Sequence, residues 1–60
     1  MTLEEAAANI GRTVVYYDTP NHSEWGVITS VNEWVFVRYG SDQHSKATAA
    51  WALELVAGSP

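Results

Sequence analysis

"NEWVFVRYGSDQHSKATAAWALELV", residues 32–56, decides the fold of this chain. "WVFVRY" (34–39) alternates aromatic and β-branched side chains, the types that fit a pleated, half-buried surface, and reads as a strand. Gly40 opens a polar loop, "GSDQH" (40–44), and "SKAT" (45–48) is then a short strand returning beside the first. "AAW" (49–51) reads as one helical turn, "ALELV" (52–56) as a closing strand and "AGSP" (57–60) as a frayed tail.

Upstream of this stretch the same logic predicts two more strands. "RTVVYY" (12–17) is the first and "WGVITSV" (25–31) the second. The loop "DTPNHSE" (18–24) separates them, with Pro20 and Asn21 supplying turn chemistry. Gly26 marks a bulge or a close backbone approach, and "NE" (32–33) is a tight hairpin connection. Residues 2–9 read as a helix: Thr2 and Glu5 fit a capping box, Ala6 to Ala8 favour helix, and Asn9 with Gly11 stops it. Leu3, Ala6, Ala7 and Ile10 give it one apolar stripe, with which so short a helix should dock over an open end of the β-structure.

Sixty residues form one domain, 1–60, with a helix at 2–9 and a five-stranded barrel over 12–56. The chain has no cysteine, so disulfides cannot reinforce its small core, and a reducing compartment suits it. The acidic opening "MTLEEAAANI" lacks the basic region of a signal peptide, and no apolar run reaches the roughly 18 residues that span a bilayer. The expected setting is the cytoplasm, away from membranes. Seven Asp and Glu against Arg12, Arg38 and Lys46 give a net charge of −4. Nucleic-acid affinity comes mainly from cations that neutralise phosphates, so this balance argues against a nucleic-acid partner. A patch built from Arg12, Arg38 and Lys46 is the one route left open to it.

The Gly-x-x-Val lead into the first strand, the glycine in the second, Val35-x-Val37 and the closing Leu53-Glu54-Leu55-Val56 resemble the SH3-like barrel group. Within it, "GRTVVYY…GVITSVN…VFVRYG…HSKAT…LELV" is similar, over about residues 10–56, to small proteins of unknown function encoded by bacteriophages and prophages. The resemblance implies a mainly β fold, a small five-stranded SH3-like barrel with a short N-terminal helix and one helical turn before the last strand. It rests on packing and turn motifs, so it implies an accessory protein and no particular chemistry.

Alternation along the strands divides the side chains between two faces. Val35, Val37 and Tyr39 belong to the core, with Val14, Tyr16, Val27, Val31, Leu53 and Leu55 as companions. In the second strand Ile28 is at least as apolar as Val27, which leaves that register open. Val15, Tyr17, Ile28, Trp34 and Phe36 fall on the other face beside Arg38, which is more apolar than a solvated face should be. Either the helix covers these residues, or they form a surface for a protein partner or a second copy of the chain. The candidate partner-binding residues are therefore Trp34, Phe36, Arg38, Tyr17 and Ile28.

Catalytic or ligand-holding constellations are weak. His22-Ser23-Glu24 and Asp42-Gln43-His44 pair histidine with carboxylate in two loops without a metal-site spacing, so no metal or other cofactor is expected. Ser45 beside His44 is not a triad, which is built in space and needs a third orienting group. A cage for a methylated cation would need two or three rings converging at one mouth of the barrel, and Trp51 is expected to plug that end instead. Plasmid-encoded dihydrofolate reductases are SH3-like barrels with a shared pore and a closing Ala-Leu-Glu, present here at 52–54. Lys46, Ala47, Thr48 and Ala49 replace their pore-lining Val-Gln-Ile-Tyr, so neither folate nor nicotinamide would be held and no enzyme is expected.

Overall fold

The structure, a computed structural model, describes residues 1–19 and 22–56. It contains a short helix α1 (Leu3–Ala7), strands β1 (Thr13–Thr19), β2 (His22–Val31), β3 (Val35–Tyr39) and β4 (Lys46–Thr48), a 3-10 turn (Ala50–Ala52) and strand β5 (Leu53–Leu55). The strands form one antiparallel sheet in the order β4-β3-β2-β1-β5. β4 and β5 are its edges, so the sheet is not closed into a barrel. The turn expected at Pro20 and Asn21 and the tail at 57–60 lie outside the described residues.

The capping box forms as the sequence implies. Glu5 N–H donates to the Thr2 hydroxyl at 3.1 Å, and Thr2 N–H donates to the Glu5 carboxylate at 3.2 Å. The helix is shorter than the 2–9 span expected, because Asn9 Nδ2 donates back to the Glu5 carbonyl and Gly11 turns the chain at φ +91°. Gly11 N–H then donates to the Ile28 carbonyl at 2.8 Å, which ties this turn to β2. Only Ala6 of the expected stripe is buried in the core; Leu3 and Ile10 stay exposed. The terminal amino group of Met1 donates to the carbonyls of Ala50 and Leu53, linking the start of the chain to the beginning of β5.

Two connections differ from expectation. β1 and β2 run on through most of the loop placed at 18–24, with Tyr16 opposite Glu24 and Tyr17 opposite Ser23. Ladder pairing uses backbone groups that polar residues also carry, so the hairpin extends past the apolar run. Trp34 lies in the turn before β3 rather than in the strand. The reason is Asn32, whose side-chain oxygen accepts from Trp34 N–H at 2.9 Å while Asn32 N–H donates to the Trp34 carbonyl at 2.9 Å.

The core joins Ala6, Val14, Ile28, Val35, Val37, Tyr39 and Leu53, with Met1, Tyr16, Val31 and Ala50 packed at its margin. Ile28 is 1% exposed, which overturns its assignment to the partner-binding face. The cause is a β-bulge. Ile28 pairs with Val37, but Ser30, not Thr29, pairs with Phe36, so β2 gains a residue at Thr29. The extra residue shifts the alternation, and Ile28 and Val31 both reach inward although they are three positions apart. Val27 pairs with Arg38 and goes to the opposite face. Thr29 Oγ1 anchors the bulge, donating to the Phe36 carbonyl at 3.1 Å and meeting Ser45 Oγ at 2.6 Å. Leu55 also departs from expectation, being partly exposed near the end of the edge strand β5.

Candidate functional site

Residues directly opposite one another on paired strands share a face. Val14, Val37 and Tyr39 point into the core, so their neighbours Val15 and Arg38 point outward. Val15 lies opposite both Trp25 on β2 and Glu54 on β5, and one row along, Val27 lies between Thr13 and Arg38. The outward face thus carries an apolar strip of Val15, Tyr17, Trp25 and Val27, with Glu54 on one flank and Arg38 on the other. Trp25 is 59% exposed and Tyr17 53% exposed, whereas Val15 between them is 7% exposed despite standing outside the core cluster. Val15, Tyr17, Trp25, Glu54 and Leu55 line a shallow groove of about 420 Å³.

Of the residues predicted for partner binding, Tyr17 and Arg38 take their expected places on this face. Phe36 shares the Arg38 side of β3, is half-buried and lies opposite Ala47 of β4. Trp34 is half-exposed in the β2–β3 turn, outside the strand pairing. Ile28 is in the core. Trp25 is the most exposed aromatic among the described strand residues, and alternation alone gives it no face. Gly26 was the available signal: a glycine that admits a close inward approach places both its neighbours, Trp25 and Val27, outward.

A second concavity, about 340 Å³, opens toward the gap between the edge strands and is lined by Tyr16, Glu24, Tyr39, Lys46, Thr48 and Trp51 among others. Trp51 is 84% exposed on the 3-10 turn and plugs nothing, because the inward positions nearby are filled by Leu53 and Ala50. The Tyr16 and Tyr39 rings stand 6.1 Å apart, tilted by 56°, so three of the seven aromatics line one cleft. As a cation cage it is poorly made. Tyr39 is buried in the core, and Lys46 lines the same cleft with its ammonium 3.8 Å from the Asp42 carboxylate. Lys46 therefore lies on the side of the sheet opposite Arg38, so these two cations do not form one patch.

Tyr39 donates to or accepts from Thr48 Oγ1 at 2.8 Å in the buried part of this cleft. Burial pushes the Tyr39 phenol above its usual value; the Glu24 carboxylate and Tyr16 add to the rise, and the Thr48 bond opposes it. The folded state therefore favours the neutral phenol. Its contribution to stability is intact below the unfolded tyrosine value of about 10 and declines as pH climbs from there toward the folded value. Tyr39→Phe is expected to cost about 1 kcal/mol at neutral pH and to show a shallower alkaline decline than the parent. Urea unfolding at pH values from about 8 to 11 measures both.

No group of three or more His, Asp or Glu able to hold a metal occurs among the described residues. None of the described helices is long and apolar enough to cross a membrane. Comparison with protein-family models, curated proteins and solved structures finds no match to this chain.

Proposed function

We propose that the chain is a non-catalytic protein-interaction module on a small SH3-like barrel, of the kind carried by bacteriophages and prophages and acting in the bacterial cytoplasm. The barrel reading is supported by the strand order, a four-strand meander with the fifth strand returning beside the first, and by the 3-10 turn just before it. Binding is carried by the outward face centred on Trp25, not by the Trp34–Phe36 segment.

One observation carries this reading: Trp25 and Tyr17 stand exposed around a buried Val15 on the outward face, while the helix sends Ala6 into the core on the other side. Tryptophan and tyrosine on rigid strands present large contact areas at small entropic cost, and they dominate interface energetics. The net charge of −4 slows the approach of other acidic proteins only at low salt, because physiological salt screens charges more than about 8 Å apart.

The test is capture from lysate of bacteria that express the chain, comparing the immobilised parent with Trp25→Ser and Trp51→Ser. Trp25→Ser is expected to weaken retention of bound protein, whether another protein or further copies of this chain, by about 30-fold, the scale of one interface hot spot. Trp51→Ser is expected to leave it intact. Retention that depends on Trp51 and not on Trp25 would move the binding site to the cleft between the edge strands.

A further inference from the structure

We propose that the outward face docks on a second copy of this chain, face to face about a two-fold axis running along the strands between Val15 and Trp25. The proposal rests on the reading above that this face binds protein, and it names the partner. What selects a second copy is the placement of charge. Glu54 and Arg38 flank the apolar strip on β5 and β3, and neither side chain makes a hydrogen bond or ion pair among the described residues.

A two-fold interface must be self-complementary, each patch meeting its own image. Adjacent strands lie about 4.8 Å apart, so Glu54 and Arg38 are three strand spacings apart, at most roughly 14 Å measured across the strands. Their midline falls between β1 and β2. Rotation about an axis on that line brings Glu54 of each copy over Arg38 of the other and stacks Trp25 against Val15. Arg38 is offset from the Glu54 row by two residues, roughly 7 Å along the strand, which the length of an arginine side chain spans. A face with acid on one side and base on the other of an apolar centre is thus complementary to itself.

Size decides how much of the face is used. A standard interface covers about 800 Å² on each partner, about a fifth of the 4130 Å² surface of this chain. A footprint of that size spans the strip and both flanks, so the two ion pairs lie inside it. Each copy carries a net charge of −4, but at physiological salt charges more than about 8 Å apart are largely screened. Contacting pairs outlast that screening.

Sedimentation of the intact chain from micromolar to near-millimolar concentration, at physiological salt, tests the proposal with Arg38→Glu, Glu54→Arg and the double exchange. The parent is expected to dimerise. Each single exchange sets like charges together twice per dimer and should weaken dimerisation by about tenfold or more, and the double exchange should restore it. The singles move net charge in opposite directions, from −4 to −6 and from −4 to −2, so a net-charge effect would separate them where a pairing effect would not. A dimer indifferent to the exchanges overturns this geometry. A monomer at every concentration overturns self-docking; if Trp25-dependent capture of a different protein persists, the interaction reading survives, and if it is absent, both fall.

Discussion

Gly26→Ala is expected to cost about 3 kcal/mol, at the upper end of what overpacking costs in a close-packed core. A Cβ on residue 26 would stand 2.6 Å from Val37 Cγ1, 2.7 Å from the Arg38 carbonyl oxygen and 3.0 Å from Tyr39 Cδ1. None of these atoms can give way cheaply. Val37 and Tyr39 are core residues and the carbonyl is part of the β2–β3 backbone, so relief means separating two paired strands. A domain of 60 residues has roughly 3 to 9 kcal/mol of stability in total, so the variant should keep only roughly 0 to 6 kcal/mol and, at the lower end, be about half unfolded at room temperature. Gly40→Ala is the matched comparison. Its Cβ meets nothing within 4 Å, and at φ +53° it is expected to cost only about 1 kcal/mol of backbone strain. Urea unfolding followed by tryptophan fluorescence ranks the two. A Gly26→Ala protein as stable as the parent would mean that β2 and β3 do not approach as described.

The second large effect is expected at Ile28. Ile28→Ala should lose about 3 kcal/mol, because truncating a fully buried branched side chain removes its transfer energy and leaves a cavity. Val27→Ala, one residue away, should lose about 1 kcal/mol, since Val27 is half-buried on the outward face. The contrast reads out the bulge. If β2 alternated without interruption, residues 27 and 31 would share the inner face and the order of the two losses would reverse. The same urea series measures it.

That bulge also shows where reading the sequence stops. The strands were legible because β-branched and aromatic runs are bounded by Gly, Asn and polar loops: β3, β4, the turn before β5 and the Thr2–Glu5 cap all fall within a residue or two of their expected positions. The inward set of β3 was legible too, since Val35, Val37 and Tyr39 alternate with exposed or half-buried neighbours. β2 was not. Period-two counting cannot register one added residue, and nothing in "WGVITSV" marks Thr29 as the position; its anchors, the Phe36 carbonyl and Ser45, belong to other strands and loops. Plain alternation therefore puts Ile28 on the surface.

Two tryptophans were misplaced for local reasons of the same kind. Trp34 looks like the first residue of a strand until Asn32 draws it into a turn, and Trp51 is exposed because smaller residues, Ala50 and Leu53, fill the inward positions around it. Gly26 hints at the outward direction of Trp25, but the inward crowding that settles it comes from β3. The candidate face was thus half legible: its composition could be read, but which aromatics it presents depended on register.

The most direct test of this division is the unfolding free energy of Ile28→Ala beside that of Trp25→Ser. Removing an exposed indole from a cross-strand pair with Val15 should cost about 1 kcal/mol or less, against about 3 kcal/mol for the buried isoleucine. That order would fix Ile28 as core and leave Trp25 free for a partner. Equal losses, or a larger loss at Trp25, would place the indole in the folded core and contradict the account.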